Sequence, residues 1–229
     1  DVPVNSVDVS YEAAKGIGYI KVSKFARNTY NEFITAIAKL KQAGCTSFVI
    51  DLRGNTGGYM DAAINMINEF MPEGRLIVYT EGKSFPRSDV YANGTGTCKD
   101  APIVVLTDEI SASASEIFSG AIQDNDRGTI IGRRTYGKGL VQTQMSLSDG
   151  SEMRLTIARY YTPSGRCIQK KYEMGNTDAY DQDIYNRYMH GEFDSADSIK
   201  MDDSLKYQTV GGRTVYGGGG IMPDIFIPR

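Results

Sequence analysis

Three groups of residues in this sequence have the types and spacing for acyl-transfer chemistry. The first is Ser113, inside the stretch DEISASASEIF. Residues 103–106 form a short apolar β-type run and read as a buried strand. The chain then turns over residues 107–110. From Ser113 onward Ile117, Phe118, Ala121 and Ile122 recur at three- and four-residue spacing, which is one face of a helix. Ser113 therefore stands at a helix N-terminus, where free N–H groups and the helix dipole favour negative charge. An acyl-transfer nucleophile needs that setting, because the N–H of Ala114 can hold a developing oxyanion. Ser113-x-x-Glu116 is also a capping box, in which the serine would only close the helix end. Ser111 is a second candidate for that cap.

A serine nucleophile needs a base. The one histidine, His190, lies in NRYMHGEFDS, a polar stretch without apolar periodicity, and reads as a surface residue. A Ser-His-Asp triad does not fit. Lysine serves when desolvation draws its pKa toward neutrality. Lys138, in TYGKGL, is the candidate. Gly137 and Gly139 let the backbone pack closely, and Tyr136, Leu140 and Val141 offer an apolar surround. Gln142 follows at the start of an expected strand, placed to orient the amine. Taken alone, GKG is a common surface turn.

The third group is RGNTGG, residues 53–58, between an expected strand and an expected helix. Its glycines do not form G-x-G-x-x-G, and no G-K-[ST] follows, so nucleotide binding has little support. The same loop can supply a second oxyanion donor, the N–H of Gly57 or Gly58, where glycine lets a carbonyl approach closely. The alternative is a tight turn that merely needs positive φ.

The elements that must carry these groups follow from periodicity. Strands are expected over residues 18–25, 47–52, 76–80, 103–106, 128–132 and 221–228. Helices are expected over 29–43, about 59–70, and from 113 onward. Residues 84–97 are polar and suit a hairpin. Residues 140–147 and 152–161 alternate around SDG, a hairpin signal. Strands alternating with helices, then hairpins, argue a mixed α/β layered fold. Residues 1–16 read as a linker or leading strand, and 17–229 as one core domain with a polar insertion at about 172–212. The acids of that insertion, Asp178, Asp181, Asp183, Asp194, Asp197, Asp202 and Asp203, have no fixed ligand spacing, so it reads as solvated rather than as a metal site.

Composition narrows the partners. The chain has 229 residues, 41 % of them hydrophobic, enough for a true core. Its net charge is −3, and no Lys/Arg-rich block stands out, so nucleic acid is excluded as an expected partner. No apolar run approaches the roughly 20 residues that span a bilayer. Absence of an initiator methionine and of a signal peptide reads as an excised or mature segment. Cys45, Cys98 and Cys167 show no C-x-x-C pairing, so neither zinc nor any other cofactor is expected. Cys98 and Cys167 both lie in loop contexts, which leaves one disulfide and three free thiols as alternatives.

The segments IDLRGNTGG, LTDEISASASEIFSGAIQD, RRTYGKGLVQ and YYTPSGRCIQ, in this order, closely resemble the carboxyl-terminal processing proteases, the tail-specific serine endopeptidases of family S41. The resemblance runs from about residue 18 to the C-terminus. It implies a ClpP/crotonase-like fold of repeated ββα units and a Ser–Lys dyad acting on protein or peptide substrates. By that resemblance Ser113 is the nucleophile, Lys138 the base and Gln142 the residue orienting the lysine. Ala114 and Gly58 or Gly57 give the oxyanion donors, and Glu116, Asp124 and Thr135 support the site. It further implies a PDZ domain ahead of the core in the full-length protein and a bacterial periplasm or cell envelope location. Two other readings compete: a crotonase-like acyl-CoA enzyme, for which no nucleotide pocket is visible, and a catalytically silent peptide-binding scaffold, which would lack the nucleophile or base.

Overall fold

The structure is a computed structural model that describes residues 5–172 and 177–229, with the backbone alone at 177–179 and 181. In chain order the strands are β1 (Val7–Ala14), β2 (Ile17–Val22), β3 (Ser47–Asp51), β4 (Leu76–Gly82), β5 (Phe85–Tyr91), β6 (Ile103–Thr107), β7 (Thr129–Gly132), β8 (Leu140–Ser146), β9 (Glu152–Tyr161), β10 (Lys206–Gln208), β11 (Thr214–Tyr216) and β12 (Ile225–Phe226). The helices are α1 (Thr29–Gln42), α2 (Met60–Asn68), α3 (Ala114–Asp124) and α4 (Thr177–Met189).

The site rests on a six-stranded sheet of order β1-β2-β3-β6-β7-β12. β1 runs antiparallel to β2 at one edge, so Val7–Ala14 of the leading segment is a strand. From β2 to β12 every neighbour is parallel. A four-stranded antiparallel sheet, β5-β4-β9-β8, is built from two hairpins. The first is β4–β5, in which the expected strand over 76–80 pairs with the start of the polar stretch 84–97, rather than that stretch forming a hairpin by itself. The second is β8–β9, turning at the expected SDG. β10 and β11 form a separate pair.

Local chemistry explains the elements that carry the core. α1 buries Thr29, Phe33, Ala36, Ile37 and Leu40, a single stripe at helical spacing. It ends in a Schellman motif: Cys45 N–H donates to Leu40 O at 2.9 Å and Gly44 N–H to Lys41 O at 3.0 Å, with Gly44 at φ 93°. Phe70, just past α2, sits edge-on to Phe33 of α1, Phe48 of β3 and Phe118 of α3, with ring centroids 6.2–6.4 Å away. Removing such a ring costs about 3–5 kcal/mol. α3 is buried along its whole length, from Ala114 to Asp124. The helix that begins at Ser113 is thus the central beam of the molecule.

Elsewhere the structure departs from the sequence reading. The expected closing strand over 221–228 pairs only through Ile225 and Phe226, beside Ile131 and Gly132. The region 172–212 is not simply solvated. It holds α4 and buries Arg187, Glu192, Phe193 and Thr209. Its signal was missed because its buried contacts are largely polar. The side chains of Asp178 and Asp181 lie outside the described residues. His190 is exposed, its Nδ1 bonded to Asn186 O at 2.6 Å. All three cysteines are free: Cys98 is tied by its N–H to Glu69 O, and Cys167 bridges Tyr161 at the end of β9. No helix among the described residues is long and apolar enough to cross a membrane.

Candidate active site

β3, β6 and β7 are parallel neighbours, so their C-terminal ends line one edge of the sheet. Each end opens into one of the three candidate segments: residues 53–58 after β3, 108–113 after β6, and 133–139 after β7. In open α/β sheets this is the edge where ligands bind. Groups dozens of residues apart in sequence are brought together by strand order alone.

The first two loops are laced into one unit. Both oxygens of Asp108 accept from Gly54 N–H at 3.0 Å. Ser111 Oγ donates to Leu52 O at 2.8 Å and accepts from Asp108 N–H at 3.0 Å. Asn55, fully buried, is the centre of the lacing. Its carbonyl accepts from Ala112 N–H at 3.0 Å and from Ser115 Oγ at 2.9 Å. Its Nδ2 donates to Val22 O at 2.9 Å, and its Oδ1 accepts from Gly57 N–H at 2.8 Å. Beneath the loop, Asp51 accepts from Tyr19 Oη at 2.6 Å and from Arg53 Nη2 at 2.7 Å. Burial and Asp51 together push the Tyr19 hydroxyl up to about 12.

Gly57 and Gly58 are required by space. At Gly57 (φ 100°) a Cβ would lie 2.7 Å from both Ala112 O and Ser113 Cβ. At Gly58 (φ 143°) it would lie 2.0 Å from Phe25 O. Their N–H groups differ. That of Gly57 is occupied by Asn55, whereas among the described residues those of Gly58 and Ala114 have no acceptor.

Ser113 has φ 56° and ψ −113°, a conformation that L-residues rarely adopt. Strain of this kind costs on the order of 1–3 kcal/mol and persists only where the surroundings impose it. The imposing group is Glu116, which has no solvent exposure. Its Oε2 accepts from Ser113 N–H and Lys138 N–H, both at 2.8 Å. Its Oε1 accepts from Thr135 Oγ1 and Gly137 N–H, both at 2.6 Å. Burial pushes the Glu116 pKa above the ordinary carboxylate value, and the four hydrogen bonds offset only part of that rise. Every acceptor direction is filled by a donor, which is the pattern of an ionised carboxylate. Thr135 completes the joint: its Oγ1 also accepts from Ile221 N–H at 2.6 Å. The capping box is therefore present, and the same carboxylate fixes the segment that carries Lys138.

Ser113 and Lys138, both half-buried, line one cleft of about 390 Å³ with Thr56, Gly58, Tyr59 and Gln142. Gln142 is exposed on β8 at the rim. Among the described residues no carboxylate pairs with the Lys138 amine. Asp124 lies elsewhere, at the far end of α3, about 16 Å along the axis at 1.5 Å per residue. There its Oδ1 takes Arg166 Nη2 at 2.6 Å, and both side chains are buried. Its Oδ2 takes Ser164 Oγ at 2.7 Å. Sequence reasoning missed Asn55, Asp108 and Ser115. The one available signal was the alternation of small polar residues in SASAS, whose outer serines bond the neighbouring loop.

A strained serine at a helix mouth, sharing a cleft with a lysine and near two N–H groups that have no partner among the described residues, is the arrangement expected of a serine hydrolase. The chain belongs to peptidase family S41, whose profile matches residues 16–178. It is 41 % identical over 156 residues to a carboxyl-terminal-processing protease of Synechocystis, covering 68 % of this chain and 36 % of that protein. It is 38 % identical over 159 residues to the chloroplastic C-terminal processing peptidase of Tetradesmus obliquus, covering 69 % of this chain and 34 % of that one. Among solved structures it is similar to a photosystem II D1 C-terminal processing protease, with a TM-score of 0.67 and 28 % identity over 95 % of this chain and 44 % of the other. The chain thus spans about a third of the length of the relatives it matches.

Proposed function

We propose that this chain is the catalytic core of a serine endopeptidase that cuts protein substrates near their C-terminal tails. The observation that carries the proposal is the shared cleft, in which Ser113 and Lys138 stand beside the unpaired N–H groups of Ala114 and Gly58. The free amine of Lys138 takes the proton from Ser113 Oγ as the oxygen attacks a peptide carbonyl. The oxyanion is held by Ala114 and Gly58, since the Gly57 N–H is engaged by Asn55. One such donor contributes about 3–4 kcal/mol of barrier lowering. Collapse breaks the C–N bond, and the leaving amine takes the proton from Lys138. Water, activated by the same lysine, then hydrolyses the acyl-enzyme and returns the proton to Ser113. Gln142 orients the lysine from the rim of the cleft, while Glu116 and Thr135 hold both segments in place.

The layering of a parallel sheet, buried helices and a hairpin sheet supports a ClpP/crotonase-like fold of ββα units. The full-length protein is proposed to carry a PDZ domain ahead of this core and to work at the bacterial cell envelope, both on the family resemblance. The direct test is mass spectrometry of an unfolded, tailed substrate incubated with the wild-type chain, Ser113→Ala and Lys138→Ala. Each substitution should lower turnover by about 10⁴-fold or more while the circular dichroism spectrum stays unchanged. Full activity in Ser113→Ala would remove the assignment.

A further inference from the structure

The region after Lys170 reaches back to the segment that carries Lys138. Arg187, in the last turn of α4, has a side chain only 5 % exposed. Its Nη1 donates to Thr135 O at 3.0 Å and its Nη2 to Arg134 O at 2.7 Å. Its Nε donates to Glu192 Oε1 at 2.8 Å. Glu192 in turn accepts from Arg134 Nε at 2.7 Å and Arg134 Nη2 at 2.6 Å. One ion pair thus fastens two consecutive carbonyls of the segment and the side chain of its Arg134.

Other contacts hold the same segment from its remaining sides. Lys170 N–H donates to Gly137 O at 3.0 Å, and Gly139 N–H donates to Gln169 Oε1 at 2.9 Å. A Cβ on Gly137 would lie 3.0 Å from Lys170 Cβ and 3.1 Å from Gly220 N. Thr135 Oγ1 meets the Glu116 carboxylate. Residues 134–139 are therefore fixed almost everywhere except at the Lys138 side chain, which enters the cleft.

α4 meets this segment through the ring of Tyr180, edge-on to Tyr136 with centroids 6.3 Å apart, and through the guanidinium of Arg187. Tyr185, Tyr188 and Met189 are exposed, whereas Arg187 is buried. A helix with only a packing task would bury apolar side chains. A guanidinium instead presents a rigid planar fork that meets two carbonyls and a carboxylate together, which an ammonium cannot do.

We propose that Arg187, held by Glu192, is a positioning residue for the reaction. It sets the backbone path of residues 134–139 and thereby the place of the Lys138 amine relative to Ser113 Oγ. This rests on the reading of Ser113 and Lys138 as nucleophile and base.

The test uses the full chain as wild type, Arg187→Lys and Glu192→Gln, with fluorescently labelled casein as substrate. A second readout is the rate at which a fluorophosphonate modifies Ser113, followed against pH. Misplacing a reacting group by about an ångström costs up to about 10²-fold, so Arg187→Lys should lose about 10- to 100-fold in kcat with KM within about twofold. The pH midpoint of labelling should move with it, because the surroundings of Lys138 change. Glu192→Gln should shift both readouts in the same direction by less. A purely structural role would lower Tm alone, and unchanged kcat and midpoint in folded Arg187→Lys would overturn the proposal. Should that variant not fold, Glu192→Gln decides by the same criteria. Wild-type activity in Ser113→Ala would strike the underlying dyad instead, a result separable from either outcome at Arg187.

Discussion

Replacing Glu116 by glutamine tests whether one carboxylate joins the nucleophile segment to the base segment. Glutamine keeps the shape but turns one acceptor oxygen into an NH₂ donor. With that NH₂ on the Oε2 side it would face two peptide N–H groups, those of Ser113 and Lys138. On the Oε1 side it meets Gly137 N–H and Thr135 Oγ1, and the hydroxyl can turn to accept. The second orientation is cheaper and leaves two buried donors, Gly137 N–H and the Thr135 hydroxyl hydrogen, without their acceptor. Two orphaned buried donors at about 1–3 kcal/mol each give a total of roughly 2–6 kcal/mol. At about 2–4 °C per kcal/mol for a chain of this size, Tm should fall by about 4–24 °C. Ser113 labelling by a fluorophosphonate should slow at least about tenfold, because the Gly137–Lys138 turn is loosened. Thermal unfolding followed by circular dichroism and labelling followed by mass spectrometry measure the two quantities. A Tm within about 2 °C of wild type with an unchanged labelling rate would show that this carboxylate does not hold the site.

Gly57→Ala should fold poorly or lose most labelling, since its Cβ would strike Ser113 Cβ and Ala112 O at 2.7 Å; wild-type labelling kinetics would contradict the close approach. Asp124→Asn breaks a buried ion pair with Arg166 and should lower stability by about 3–5 kcal/mol in urea titrations, while the folded protein at low temperature keeps its kcat, because Asp124 sits at the far end of α3. Burial works to raise the Asp51 pKa, but Arg53, Tyr19 and Lys21 outweigh it and hold it below 3.8. The stability this contributes is present above that value and is lost as pH falls through the folded pKa, so Asp51→Asn should flatten the acid limb of a Tm-against-pH curve.

The sequence made much of this architecture readable. α1, β3, β6 and the start of α3 follow from apolar spacing, because each packs against the same core. Ser113, Lys138 and the glycines of 53–58 stood out through residue type. From its own spacing Glu116 was legible only as a capping-box partner, with the family resemblance adding a supporting role, since three of its four donors lie 19–22 residues further along the chain. Asn55 carried no periodic signal, as its bonds run to Val22, Gly57 and Ala112 through irregular backbone. α4 escaped because periodicity detects apolar stripes, and the contacts described for this helix combine a buried guanidinium with a lone tyrosine ring and a backbone carbonyl.

The left-handed backbone at Ser113 has an evolutionary consequence. Only glycine would rest comfortably at φ 56° and ψ −113°, and glycine there would remove the hydroxyl. Thermal robustness and turnover therefore pull in opposite directions at a single position. Variants selected only for heat tolerance should drift toward an inert molecule that outlasts its working ancestor.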